Sequence, residues 1–107
     1  MVGPEIERAV QAVAREAISN VARHARAKMV LVTLTFLRGS VDIVIQDDGD
    51  GASELILRNY RESSTHFGLK GLRKLVAAVG GRFEVDNGEE SGLVVKARFL
   101  LAEEAPA

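Results

Sequence analysis

The repeat of apolar residues changes along the chain, and that change does most to limit the fold. From Pro4 to about Ala27, Ile6, Val10, Val13, Ala17 and Val21 recur at helical spacing. Pro4 suits a first helical turn, and Glu5 and Glu7 sit where the helix dipole is positive. At Lys28 the period falls to two. "KMVLVTLTFL" alternates and is rich in β-branched residues, so Lys28 to Leu37 reads as a strand. Arg38-Gly39-Ser40 reads as a turn, and Val41 to Gln46 as a second strand folding back on the first. A short helix is expected over Glu54 to Arg58, and an irregular segment over Asn59 to Phe67. The helical period returns from Gly68 to Val79 and stops at Gly80-Gly81. "RFEVD" and "GLVVKARFL" read as a closing hairpin around Asn87-Gly88. Helices and strands in this order predict a two-layer α/β sandwich. Its helices pack on one face of a mixed, mainly antiparallel sheet.

The 107 residues suit one domain, expected as an ordered core over 3–101 and a frayed tail over 102–107. At 47% hydrophobic the chain can bury a core. A formal charge of -1 gives no global attraction to nucleic acid. Without cysteine, neither a disulfide nor a thiolate metal site is possible. No apolar run approaches the ~20 residues of a membrane span, so no membrane contact is expected.

Three stretches carry polar residues that a packed fold does not itself require. The first helix has a second stripe, Glu16, Asn20 and His24, four residues apart and bordering the apolar one. This stripe is either a solvated flank or a cleft wall. As a wall, Asn20 would offer an amide oxygen to Mg²⁺, a cation that prefers oxygen ligands. Glu16 could orient or deprotonate a water, and Arg23 could reach a phosphate. The second stretch, "VIQDDGDGA", ends a strand in three acids and two glycines. A hairpin turn needs only one Asp-Gly pair, and here Asp48-Gly49 and Asp50-Gly51 are tandem. The third is "THFGLKGLRKL", with Gly68 and Gly71 at a helix start. Free N–H groups of a first turn form an anion site that small residues leave open. Lys70 would add charge there, and His66 would contact ligand or cover the helix end.

In order these stretches read Glu16-x-x-x-Asn20-x-x-Arg23-His24, Asp47-x-Gly49-x-Gly51 and Phe67-Gly68-Leu69-x-Gly71-Leu72. The series resembles the N, G1 and G2 boxes of the GHKL superfamily of ATP-binding domains. Gyrase, the heat-shock chaperone, MutL and histidine kinases share them. "REAISNVARHARA" and "HFGLKGLRKLVAAVGG" look like the NarL-type, nitrate-sensor branch of bacterial sensor histidine kinases. The resemblance runs from about Pro4 to Leu100 and implies the Bergerat ATP-binding fold.

It also implies roles. Asp47 would accept a hydrogen bond from the adenine amino group, with Gly49 and Gly51 turning the backbone beneath the ring. Asn20 would be the Mg²⁺ ligand, Arg23 a phosphate contact, and His24 a ring near the nucleotide. The Ala52–Phe67 segment would be a short ATP lid. Gly68, Leu69 and Gly71 would present N–H groups to the phosphates, beside Lys70. Glu16 is the candidate catalytic base or water-orienting residue. Asp50 is expected to be a solvated loop residue. Where the family often has Gly-Thr in the last strand, this chain has Gly92-Leu93, without the hydroxyl.

The expectation is therefore the catalytic, ATP·Mg²⁺-binding domain of a histidine kinase, cytoplasmic and cut from a longer parent that can be membrane-anchored. It would phosphorylate a histidine on a dimerisation domain of the same kinase, and a response regulator would receive the phosphoryl group. The dimerising helices, and the strand that usually precedes the first helix, lie outside these residues. Two alternatives stay open: an anti-sigma-type serine kinase of the same fold, and a non-catalytic interaction module, which Leu93 favours.

Overall fold

The computed structural model describes residues 3–20, 22, 26–51 and 69–101, with Asn20, Leu69 and Lys70 described by backbone alone. The elements run α1 (Pro4–Asn20), β1 (Val30–Leu37), β2 (Ser40–Asp47), α2 (Leu69–Ala78), β3 (Arg82–Asn87) and β4 (Leu93–Leu100). The sheet order is β1-β2-β4-β3, and each described pairing is antiparallel. The expected short helix at Glu54 to Arg58 and the irregular segment at Asn59 to Phe67 lie outside the described residues.

Alternation sets the two faces of the sheet. Val41, Ile43 and Ile45 of β2 and Val95, Ala97 and Phe99 of β4 are buried, together with Val85 of β3. Ala9, Val13 and Ala17 of α1 and Leu72 and Val76 of α2 close over that face. The outward residues of β2 and β4 are mostly polar or half-exposed, with Leu100 an exposed exception. Among them Arg98 clamps Asp42 through two bonds of 2.7 Å, from Nε to Oδ1 and from Nη2 to Oδ2. This two-pronged bond holds the Asp42 carboxyl below its ordinary pKa.

Element ends differ from the sequence expectations for local reasons. The first helix was expected to reach Ala27. Instead Ala22 lies in a wider, π-type turn, and Arg26 and Ala27 are outside any helix. Arg26 has φ 52°, a left-handed conformation that ends a helical path. The first turn is tighter than expected. Leu37 pairs with Ser40, so Arg38 and Gly39 alone make the turn and Ser40 joins β2. The last hairpin is looser. Asn87 pairs with Leu93, and the Gly88 N–H donates to the Gly92 carbonyl at 2.9 Å across the intervening loop. Gly80 and Gly81 stop α2 as expected, donating to the carbonyls of Ala77 and Val76 at 3.0 and 2.9 Å.

Candidate nucleotide-binding site

The three acids that end β2 have three destinations. Asp47 is the last residue of the strand and shares the parity of Val41, Ile43 and Ile45, so it faces the helices. It is only 4% exposed. A buried carboxylate needs donors. The Gly49 N–H supplies one to Oδ1 at 2.8 Å, and the Leu93 N–H a longer one at 3.4 Å. Both fall on the same oxygen. An ionised carboxylate offers about four acceptor positions, so these two bonds fix its orientation without using its capacity.

Asp48 points to the exposed side. Its Oδ1 accepts from the N–H groups of Met29 and Lys28 at 2.9 and 2.8 Å. The Met29 N–H, then that of Lys28, holds the carboxyl below its ordinary value. Asp48 thus fastens the entry of β1 to the exit of β2. Asp50 is solvent-facing, as expected. Its contact is a long one, Oδ2 to Arg26 Nε at 3.9 Å between two largely exposed side chains.

The Asp48 arrangement has a pH consequence. Its folded-state pKa is depressed, so the stabilisation is complete above the ordinary carboxylate value and fades as pH falls through the folded one. Asp48→Asn is expected to remove this acid-side component and leave stability at neutral pH lower than in the parent. Urea midpoints at pH 7 and pH 3 for the two proteins measure it. Equal acid sensitivity in both would refute the role.

The glycines after Asp47 are packed as well as turned. Gly51 has φ 74°, and a Cβ there would lie 2.5 Å from Asn87 Oδ1 and 3.0 Å from the Gly92 carbonyl. The loop leaving β2 is therefore seated against the β3–β4 loop. Gly92 has the same φ of 74°. A Cβ on it would overlap the Asp47 backbone carbonyl and stand 2.8 Å from Asp47 Oδ1. Gly92 and the Leu93 N–H were not among the expected site residues. The sequence marks the pair only as Gly92-Leu93 in place of the family's frequent Gly-Thr, and its closeness to Asp47 is visible only once β2 and β4 are paired. The Leu93 side chain is in the core, 6% exposed, while its N–H serves Asp47.

The structure brings together Asp47, Gly49 and Gly51 from the expected set. Glu16 is half-buried, one turn before the end of α1 and beside the buried Ala17, which agrees with a flank bordering the apolar stripe. Asn20 ends α1, and its side chain is not described. Leu69 and Lys70 open α2 as backbone, and Gly71 follows them in its first turn, half-buried. Arg23, His24 and Gly68 lie outside the described residues. A hollow on the other face of the sheet, lined by Leu31, Gln46, Glu84 and Val94, reaches Asp47 and Asp48 at its end and includes none of Gly49, Gly51 and Gly92.

A two-layer sandwich with a buried acid and glycine corner at the end of a central strand is the arrangement that the resemblance to ATP-binding domains implies. Residues 5–103 match the family described as histidine kinase-, DNA gyrase B- and HSP90-like ATPase, and the chain belongs to it. The sensor histidine kinase LnrJ of Bacillus subtilis is 33% identical over 92% of this chain, which spans 22% of that protein. The nitrate/nitrite sensor protein NarX of Escherichia coli is 32% identical over 82% of this chain, which spans 14% of it. The chain thus covers under a quarter of the length of these relatives. In fold it is similar to the ATP-binding domain of PrrB from Mycobacterium tuberculosis, with TM-score 0.73, 22% identity, and coverage of 90% of this chain and 69% of that one. The histidine kinase domain of the blue-light-activated histidine kinase of Erythrobacter litoralis gives TM-score 0.71 at 24% identity, over 91% of this chain and 45% of that one. The Bergerat ATP-binding fold is thereby established. No helix among the described residues is long and apolar enough to cross a membrane.

Proposed function

We propose that this domain binds ATP with Mg²⁺ and presents the γ-phosphoryl group to a histidine on a dimerisation domain of the same kinase, in the cytoplasm, for relay to a response regulator. The observation that carries the reading is the Asp47 carboxylate. It is buried, held by two backbone N–H groups on one oxygen, and set at the exit of a central strand, with Gly92 packed directly against it. An acceptor placed in this way fits the exocyclic amino group of adenine.

Asn20 would hold Mg²⁺ through its amide oxygen, an arrangement that suits the donor preference of this ion. With it the domain gains a counter-charge for the triphosphate. Arg23, Lys70 and the N–H groups of Gly68, Leu69 and Gly71 would neutralise the rest, since phosphoryl transfer depends mainly on positioning and charge. His24 would lie near the nucleotide, and Glu16 would orient or deprotonate the attacking group. Leu93 supports the rival non-catalytic module only weakly, because its N–H serves Asp47 in spite of the missing hydroxyl.

Thermal melting with and without ATP and Mg²⁺ tests the reading. At a hundredfold excess over Kd, a ligand that binds only the folded state stabilises by about 2.7 kcal/mol. For a domain of this size that raises Tm by roughly 10 °C or more. An unchanged Tm across a wide ATP range would favour the non-catalytic module. Asn20→Ala is expected to lose the Mg²⁺-dependent part of this rise and keep the parent Tm without ligand. A low Tm combined with normal binding would make Asn20 a structural residue.

A further inference from the structure

The loop that leaves β2 is fixed at both ends, and its two anchors lie on opposite sides of that strand. At its start, Asp48 accepts from the N–H groups of Lys28 and Met29, and its own N–H donates to the Met29 carbonyl at 3.3 Å. At its end, Gly51 rests on the β3–β4 loop. Three atoms lie nearest to a Cβ built on Gly51. Two belong to the Asn87 side chain, Oδ1 at 2.5 Å and Cγ at 3.2 Å, and the third is the Gly92 carbonyl oxygen at 3.0 Å. Asn87 is therefore the side chain against which the Gly51 backbone is seated.

This second anchor is firm. Asn87 and Leu93 form the last pair of β3 and β4, and the bond from the Gly88 N–H to the Gly92 carbonyl closes the loop beyond them. Turn chemistry accounts for Gly88 but not for Asn87, which the structure places inside β3. Core packing does not account for it either, since Asn87 is exposed and stands outside the buried cluster. Between the two anchors lies Gly49, which is buried. Its N–H gives Asp47 the shorter of its two bonds, 2.8 Å against 3.4 Å from Leu93.

We infer that Asn87 is a positioning residue for nucleotide binding, an inference that rests on the reading of Asp47 as the acceptor for adenine. Its amide supports Gly51 and keeps the 48–51 loop in place. The Gly49 N–H then stays on Oδ1, and the second oxygen of Asp47 keeps a fixed direction. Without that support Gly51 gains room on the side of the β3–β4 loop, and the Gly49 N–H moves off Oδ1. Only the longer bond from Leu93 then opposes rotation of the carboxylate, because the terminal torsion of an aspartate is broad. Asn87 need not touch the nucleotide to have this effect.

Asn87→Ala tests the inference with and without nucleotide. In ¹⁵N-labelled protein without ligand, the Gly49 amide should exchange about tenfold faster than in the parent. The Met29 amide, held by Asp48, should exchange at the parent rate. In calorimetric titration ATP affinity should fall about three- to tenfold. GTP affinity should fall less, because a loosened carboxylate discriminates less between amino and carbonyl groups. Tm should stay within about 4 °C of the parent, as for an exposed polar residue. Glu89→Ala, an exposed substitution in the same loop, should change neither exchange nor affinity. An unchanged Gly49 amide would overturn the inference, as would equal losses for ATP and GTP or a fall in Tm of more than about 10 °C. A parent that binds ATP no better than Asn87→Ala does would refute the inference alone. A parent that binds no ATP would refute the reading of the site, and the inference with it.

Discussion

Asp47→Asn is expected to lower ATP affinity roughly ten- to hundredfold while the domain stays folded. The estimate follows from the value of a hydrogen bond to a charged group, ~1.5–3 kcal/mol. The local geometry makes the substitution unusually informative. The N–H groups of Gly49 and Leu93 both donate to Oδ1. An asparagine would keep its carbonyl oxygen on those donors, so its NH₂ group would take the place of the second carboxylate oxygen. The group offered to the base changes from acceptor to donor. Adenine, which presents an amino donor, loses its partner. Guanine, which presents a carbonyl oxygen at the same place, gains one. The preference for ATP over GTP should therefore narrow in the variant. Calorimetric titration of both nucleotides into both proteins measures this, and unchanged ATP affinity in Asp47→Asn would rule out adenine recognition by this residue.

Gly92→Ala is the second large effect expected. The left-handed φ of 74° costs a residue with a Cβ about 1–2 kcal/mol. The overlap with the Asp47 carbonyl forces an overpacking cost of about 1–3 kcal/mol more. Together these should lower Tm by on the order of 10–20 °C. Gly39→Ala is the matched control. Its φ is 84°, but a Cβ there would meet nothing within 4 Å. It should show the backbone cost alone. The difference between the two variants, read from urea unfolding, isolates the contact with Asp47. Gly92→Ala should also bind ATP more weakly than Gly39→Ala, because the carbonyl that must move belongs to Asp47, the residue proposed to hold the base. Equal stability losses in the two variants would mean that the β3–β4 loop yields and that Gly92 does not support the site.

Much of this architecture was legible in the sequence because its causes are local. The helical repeat of Val13 and Ala17 and the alternation of Val41, Ile43 and Ile45 specify which side of each element is apolar, whatever it later packs against. The spacing Asp47-x-Gly49-x-Gly51 likewise marked a strand exit with open backbone. Lengths were less legible. Whether Ser40 belongs to the turn or to β2 depends on its pairing with Leu37, and the helical pattern did not show the left-handed turn at Arg26.

Only the tertiary structure decided the separate fates of Asp47, Asp48 and Asp50. They are near neighbours in sequence, yet their donors are far apart along the chain: Leu93 for Asp47, Lys28 and Met29 for Asp48. Strand parity alone turns Asp47 inward and Asp48 outward, but no local pattern supplies the Leu93 N–H that helps to make burial of Asp47 tolerable, because it arrives from another strand. Gly92 is a case of the same kind, since its closeness to Asp47 depends on β4 lying beside β2. So is β1, whose alternation resembles that of a half-buried strand. Among the described residues β1 ends the sheet, and Leu31, Leu34 and Phe36 are exposed. The chain's own periodicity determined which way each side chain points. Strand order determined what it meets there, because burial and hydrogen bonding depend on neighbours that the local sequence does not contain.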